Sequence, residues 1–450
     1  MPVAPTYCWS HTLEVPFGTE GVRMSLGRPI KRVSAVRILA LAVAALLTLG
    51  GVASAQNEAA KHHSKQGRKR MIQRDYEGAI QSYNQEILVD PYNANLFFAR
   101  GQAKHFSKNL DGAITDYGKA IYHLPGHHMA FHNRGVALAA KGKLKEAIAD
   151  LDEAVNLRPK YAIAYNSRAT VLGNRGENEA AIVDCTEAIR LKKGYHQAFL
   201  NRGNAKFRLG RFKEARADME HAVKLAPLIA QYKFVLGDCQ MLLLDYADAI
   251  KSYTAALETK DRKDEKGKLL KARKLNPILS ARAYSARARA HFIQGAKASA
   301  KQDLVKACSL VTDFAYSALW LVALFDDPAE LKKKYTKTTG WTGKVVSYYL
   351  GKRTAEQLLA DANVLEKDAP ESTRREHLCE AYVYVALLKE RAGKTKEAVE
   401  LYRKAVSTKV FRFTEHQWAQ VALARLAPAK KPGGKAPKKA PEKAPKKPSK

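Results

Sequence analysis

The sequence predicts an all-α solenoid of right-handed helix-turn-helix units. A capping helical segment closes it on the C-terminal side, a signal peptide precedes it, and a disordered Lys/Pro/Ala tail follows it. Three observations carry this reading. The tripeptide at Asn133, Arg134 and Gly135 returns at Asn201, Arg202 and Gly203, a separation of 68 residues or twice 34, and a fixed period of that size marks a stacked repeat array. Frames opening at residues 60, 94, 128, 162, 196 and 230 align six consecutive units without a gap. Within those frames small residues fall in columns: Gly67, Gly101, Gly135, Ala169, Gly203 and Gly237 at position 8, Ala79 to Ala249 at position 20, and Ala120 to Ala256 at position 27.

Taken in chain order, residues 1–55 read as an export leader. The basic stretch RPIKRVSAVR precedes the apolar run Ile38–Leu49, and Ala53, Ser54 and Ala55 form a small-residue cleavage site, the three parts of a signal peptide. Cleavage after Ala55 places the mature chain in the periplasm or outside the cell. Met24 opens a conventional leader and is the candidate true start. The alternative reading is an uncleaved inner-membrane anchor, because Ile38 to Ala55 is 18 residues without a charge, the lower limit for a spanning helix.

Residues 56–263 hold the six contiguous units. Small residues at positions 8, 20 and 27 let two antiparallel helices approach where their ridges cross. Bulky residues fill the spaces beside them, with Phe97, Phe131, Tyr165 and Phe199 at position 4 and Tyr83, Tyr117 and Tyr253 at position 24. Pro91, Pro125, Pro159 and Pro227 at position 32 stop the second helix and turn the chain into the next unit. These columns resemble the tetratricopeptide repeat (TPR) family. Residues 264–280 form a Lys/Arg-rich insertion, expected as a loop or solvated helix extension. A seventh unit fits 281–314, with Ala288, Ala300 and Ala307 in the small columns, and an eighth fits 379–412, with Ala386, Ala398 and Ala405.

Charge gives a second pattern inside the repeat. Arg100, Arg134, Arg168, Arg202 and Arg287 stand at position 7 of the same five units that carry Asp116, Asp150, Asp184, Asp218 and Asp303 at position 23, while the other three units have neither. An unpaired guanidinium in a partly buried place is costly, so each Arg is expected to meet the Asp of its own unit. The Asn-Arg-Gly stretch is therefore scaffolding.

The chain carries a net charge of +33, which suits an anionic partner, and the tail 427–450 holds nine Lys and one Glu in a Pro/Ala frame that has almost nothing to bury. Export disfavours nucleic acid as that partner and favours an anionic envelope polymer. Of the five Cys, Cys185, Cys239, Cys308 and Cys379 follow the leader; Cys239 with Cys308 is the pair whose spacing leaves a bridge open, and buried thiols are the other reading. No phosphate loop, nucleophile elbow, zinc-protease motif or zinc-spaced Cys pair is present, so no catalytic, cofactor or metal residue is assigned. His123, His127, His128 and His132 cluster without a carboxylate or Cys among them and read as turn histidines.

Binding is expected on a concave face. Its candidate residues at positions 5 and 9 are Phe98 and Gln102, His132 and Val136, Asn166 and Thr170, then Leu200 and Asn204. This is a mixed groove, without the Lys/Asn set by which some tetratricopeptide proteins hold C-terminal carboxylates.

After the seventh unit come AYSALWLVALF, GWTGKVVSYYLGKRTAEQLLADA and a segment running from EHLCEAYVYVALL to FRFTEHQWAQVALARL. Residues 315–426 resemble the C-terminal half of the bacterial envelope lipoprotein NlpI family. That resemblance implies a non-enzymatic adaptor, often dimeric, that brings peptidoglycan hydrolases and a protease together. The family is lipid-anchored through a Cys at the mature N-terminus, where this chain has Gln56. The expected function is a protein-binding scaffold in the cell envelope. The alternative is a structural protein that binds wall polymer or lipopolysaccharide through its basic body and tail.

Overall fold

The computed structural model describes residues 65–311, 315–335, 337–364, 370–410 and 414–426. The expected leader and Lys/Pro tail lie outside the described residues. A helical run over residues 65–72, α1, pairs with α2 (Tyr76–Val89). Five more pairs follow: α3 (Ala94–Phe106) with α4 (Leu110–His123), α5 (His128–Ala140) with α6 (Leu144–Leu157), α7 (Ala162–Arg175) with α8 (Asn178–Leu191), α9 (His196–Arg208) with α10 (Phe212–Leu225), and α11 (Ala230–Leu242) with α12 (Tyr246–Leu257). Beyond an insertion, α13 (Pro277–Ile293) pairs with α14 (Lys297–Leu310), and α19 (Glu371–Arg391) with α20 (Thr395–Ser407). Between those two pairs lie α15 (Tyr316–Phe325), α16 (Ala329–Lys334), α17 (Gly340–Tyr349) and α18 (Ala355–Asn363); α21 (Thr414–Leu426) follows.

The small columns are contact points between the two helices of a unit. A Cβ on Gly67, Gly101 or Gly237 would fall 2.7, 2.8 or 2.6 Å from the ring of Tyr83, Tyr117 or Tyr253, so each glycine makes room for the aromatic at position 24. Where position 8 is Ala169, position 24 is the small Cys185, and both are buried. The turn between the helices has its own rule. Position 15 lies in the left-handed region in all eight units, at Arg74, Lys108, Gly142, Gly176, Gly210, Leu244, Gly295 and Gly393. Five of these are the residue type that adopts that conformation without cost.

The insertion departs from the expected loop or helix. Arg262–Lys263 (β1) pairs antiparallel with Leu269–Leu270 (β2), and Asp264 accepts backbone hydrogen bonds from Lys266 and Lys268 across the turn at Gly267. Three residues beyond β2, Arg273 bridges to the start of α11: Ala230 N–H donates to Arg273 O at 3.0 Å, and Arg273 N–H donates to Leu228 O at 2.8 Å. The helix that follows begins four residues before the expected frame, capped by Asn276, which accepts from Leu279 N–H, with Pro277 at the position where its missing N–H costs nothing.

The largest core cluster lies at the C-terminal end, where Trp320, Leu331, Val345, Leu358, Tyr384, Tyr402 and Trp418 pack together. Trp320 and Trp418 meet edge to face at 5.0 Å. Cys185, Cys239, Cys308 and Cys379 are all buried and free; Cys239 donates to Phe212 O at 3.2 Å rather than bridging to Cys308. No described helix is long and apolar enough to cross a membrane.

Candidate functional site: the inner face of the array

The first helices of neighbouring units touch one another directly, α3 with α5, α5 with α7, α7 with α9 and α11 with α13. That places these helices on the inner, tighter side of the curve and the second helices outside. Positions 5 and 9 of the first helices face inward. Phe98, Gln102, Val136, Asn166, Leu200 and Asn204 are part-exposed there, Thr170 is exposed and His132 is buried.

Several of these side chains bond across the unit boundary. His132 Nε2 meets Ser167 Oγ at 2.9 Å, and Asn201 donates to Asn166 Oδ1 at 3.0 Å and to Thr170 Oγ1 at 3.1 Å. The inner face is thus a polar ladder in its middle, flanked by Phe98 on one side and Leu200 on the other.

The arginines of position 7 are placed at the back of this face. Each donates two hydrogen bonds to the aspartate of its own unit: Arg100 to Asp116 at 2.7 and 2.6 Å, Arg134 to Asp150 at 2.7 and 2.7 Å, Arg168 to Asp184 at 2.8 and 2.7 Å, Arg202 to Asp218 at 2.9 and 2.6 Å, and Arg287 to Asp303 at 2.8 and 2.8 Å. All five aspartates are buried. The bidentate geometry is the strongest a guanidinium and a carboxylate can adopt, and it leaves these arginines committed to the fold. Among the histidines, His127 Nδ1 accepts from Ala130 N–H, His128 lies against Arg158, and His123 stacks on Phe97. The described residues contain no group of His, Cys, Asp or Glu arranged to hold a metal.

Beyond Asn204 the inner face closes into a cavity of about 540 Å³. Its walls continue the same two positions, Phe234 and Asp238 on α11, then Ser285 and Arg289 on α13. Tyr316 and Trp320 of α15 add an aromatic side, and Glu415 and Gln417 of α21 complete it. α21 reaches this place by packing on α19 and α20 and touching α11. Phe234, Asp238, Ser285 and Arg289 stand in the columns that hold Phe98 to Asn204, so extending those columns by two units finds them. Nothing local marks Trp320 or Glu415, because only the closure of the C-terminal end brings them to unit six.

Burial dominates the electrostatics of the cavity. It pushes the Asp238 carboxyl above the usual carboxylate range, although Tyr253, whose hydroxyl donates to Asp238 at 2.8 Å, and the guanidiniums of Arg282 and Arg289 act against this. Glu415 is raised for the same reason, opposed by the hydrogen bond that Tyr384 donates at 2.9 Å.

A family model described as Tetratricopeptide repeat matches residues 200–265, and one described as TPR repeat matches residues 135–174. The chain carries tetratricopeptide repeats. The array also has a relative among curated proteins, the Lipoprotein NlpI homolog of Haemophilus influenzae. It is 27% identical over 142 residues, which are 29% of this chain, and the match spans 44% of that relative's length. Among solved structures, MamA protein is 25% identical over 38% of this chain and 92% of its own, with a TM-score of 0.35. A tetratricopeptide repeat protein from Parabacteroides merdae is 15% identical over 56% of this chain and 93% of its own, with a TM-score of 0.43.

Proposed function

We propose that the protein is a non-enzymatic scaffold that holds partner proteins along the inner face of its tetratricopeptide array, in the periplasmic space of a bacterial envelope, with peptidoglycan hydrolases or a protease among the partners. The observation that carries this reading is the row of inward side chains from Phe98 to Asn204, which mixes aromatic, aliphatic, amide and hydroxyl groups on a rigid helical frame. Such a surface suits an extended peptide or a partner helix, whose backbone and side chains both need partners. The envelope setting draws support from the leader-like residues 1–55 and from the partial likeness to the Haemophilus lipoprotein homolog.

Photo-crosslinking in intact cells tests this. A crosslinking residue is placed at Gln102, Thr170 or Asn204 on the inner face, and at Val183 on α8, an outer helix where the side chain is 68% exposed. The expected result is a defined set of protein adducts, envelope hydrolases or proteases among them, at the three inner positions and absent at Val183. Equal adducts at Val183, or adducts to polymer in place of protein, would overturn the scaffold reading, and the polymer result would establish the structural one.

A further inference from the structure

The cavity at units six and seven is lined by four charged side chains that form no ion pair with any described residue: Asp238 on α11, Arg282 and Arg289 on α13, and Glu415 on α21. Arg289 is 8% exposed and its guanidinium lies over the Trp320 ring at 5.2 Å. It makes no hydrogen bond or ion pair with any described residue, unlike the five arginines of position 7, each of which is held by two bonds to an aspartate. Asp238, one helix away and lining the same cavity, accepts from Tyr253 through Oδ1 alone; its other oxygen has no donor among the described residues. The two side chains do not pair with each other. Asp238 is part-exposed and Arg289 lines the same cavity, so opposite charges that face one space without meeting are placed to be bridged by a ligand that enters it.

The rest of the wall limits what that ligand is. Phe234, Trp320 and Tyr316 present rings, Val235 and Ile278 aliphatic groups, and a volume near 540 Å³ falls within the range of small-molecule sites. A simple carboxylic acid would use the guanidiniums of Arg282 and Arg289 and leave the carboxyls of Asp238 and Glu415 unused; a simple amine would do the reverse.

We propose that this cavity binds a small zwitterion, a short peptide with a free ammonium and a free carboxylate, its carboxylate on Arg289, its ammonium on Asp238 and an apolar or aromatic side chain against Trp320 and Phe234. This site continues the groove that runs from Phe98 to Asn204, sharing Asn204 with it, and its ligand does not depend on a protein partner in the rest of the groove.

The test is calorimetric titration of the full chain with the dipeptide Ala-Phe and three relatives: the N-acetyl form, the C-terminal amide and the form blocked at both ends. Trp320 in the wall supplies a fluorescence signal for the same titrations. The free dipeptide is expected to bind saturably, and each single block to weaken it by at least about tenfold, a loss that titration resolves directly. Arg289→Gln is expected to abolish the penalty of the C-terminal amide and Asp238→Asn that of the acetyl group. The wild-type series stands without either variant, should one fail to fold. Equal binding of the free and doubly blocked forms, or no saturable binding of any of the four up to about 10 mM, would overturn the proposal, leaving Arg289 as a cation held only by the Trp320 ring and the distant carboxylates.

Discussion

Asp150 is 7% exposed and its two oxygens are both taken by Arg134. Removing the carboxylate leaves a guanidinium whose side chain is 26% exposed without its counter-charge. Breaking such a pair from one side costs roughly 3 kcal/mol, whereas replacing both partners by apolar groups removes the desolvation penalty together with the attraction. Asp150→Ala is therefore expected to destabilise by more than the double change Arg134→Leu with Asp150→Leu, measured as the shift in urea midpoint at constant slope. Equal costs, or a larger one for the double change, would mean that the pair contributes net attraction rather than correct placement. Burial of another kind decides the thiols: it pushes Cys185 up to about 12, which keeps it protonated at neutral pH.

Among the elements, α19 and α21 carry a pH dependence of their own. Glu380 on α19 accepts from Tyr316 at 3.0 Å and from Trp341 at 2.7 Å, and Glu415 on α21 accepts from Tyr384 at 2.9 Å. Burial raises both carboxyls above the ordinary carboxylate range, and Glu415 raises Glu380 further. A carboxyl raised on folding binds its proton more tightly in the folded state than in the unfolded one. Its stabilising effect is complete below the unfolded pKa near 4.3 and is lost as pH rises through the folded value. Glu415→Gln is thus expected to be close to wild type in melting temperature at about pH 4 and increasingly more stable than wild type as pH rises. A difference that stays constant from acid to neutral pH would show that the carboxyl ionises freely. The elements themselves were legible from residue type and spacing, because small columns, capping prolines and the Arg–Asp columns repeat wherever two helices must meet. The ribbon at Arg262–Leu270 was not, since two-residue strands offer no alternation to read, and the hold of Arg273 on Ala230 just beyond it is a backbone bond that any side chain permits.

At the scale of the whole molecule, an array in which each unit touches mainly its neighbours transmits damage only locally. Gly135→Ala tests this, since its Cβ would lie 2.9 Å from Leu151 Cγ and 3.0 Å from Ala147 O. Overpacking of about 1–3 kcal/mol outweighs the gain in helix propensity of about 1 kcal/mol. Hydrogen exchange is expected to quicken in α5 and α6 and less so in α4 and α7, with α19 to α21 unchanged; a uniform rise across the chain would show one cooperative block instead. The cavity lay beyond sequence reading for a related reason. Phe234 and Arg289 belong to the repeat, but Trp320 and Glu415 join them only through a long-range closure that leaves no periodic trace. That closure also sets an order of events during synthesis. The early units meet their neighbours within a few tens of residues and can fold as they leave the ribosome, whereas the wall around Asp238 waits for α21, some 180 residues later in the chain. That wall, with Trp320 and Arg289 in it, is therefore the last section of the inner face that synthesis can complete.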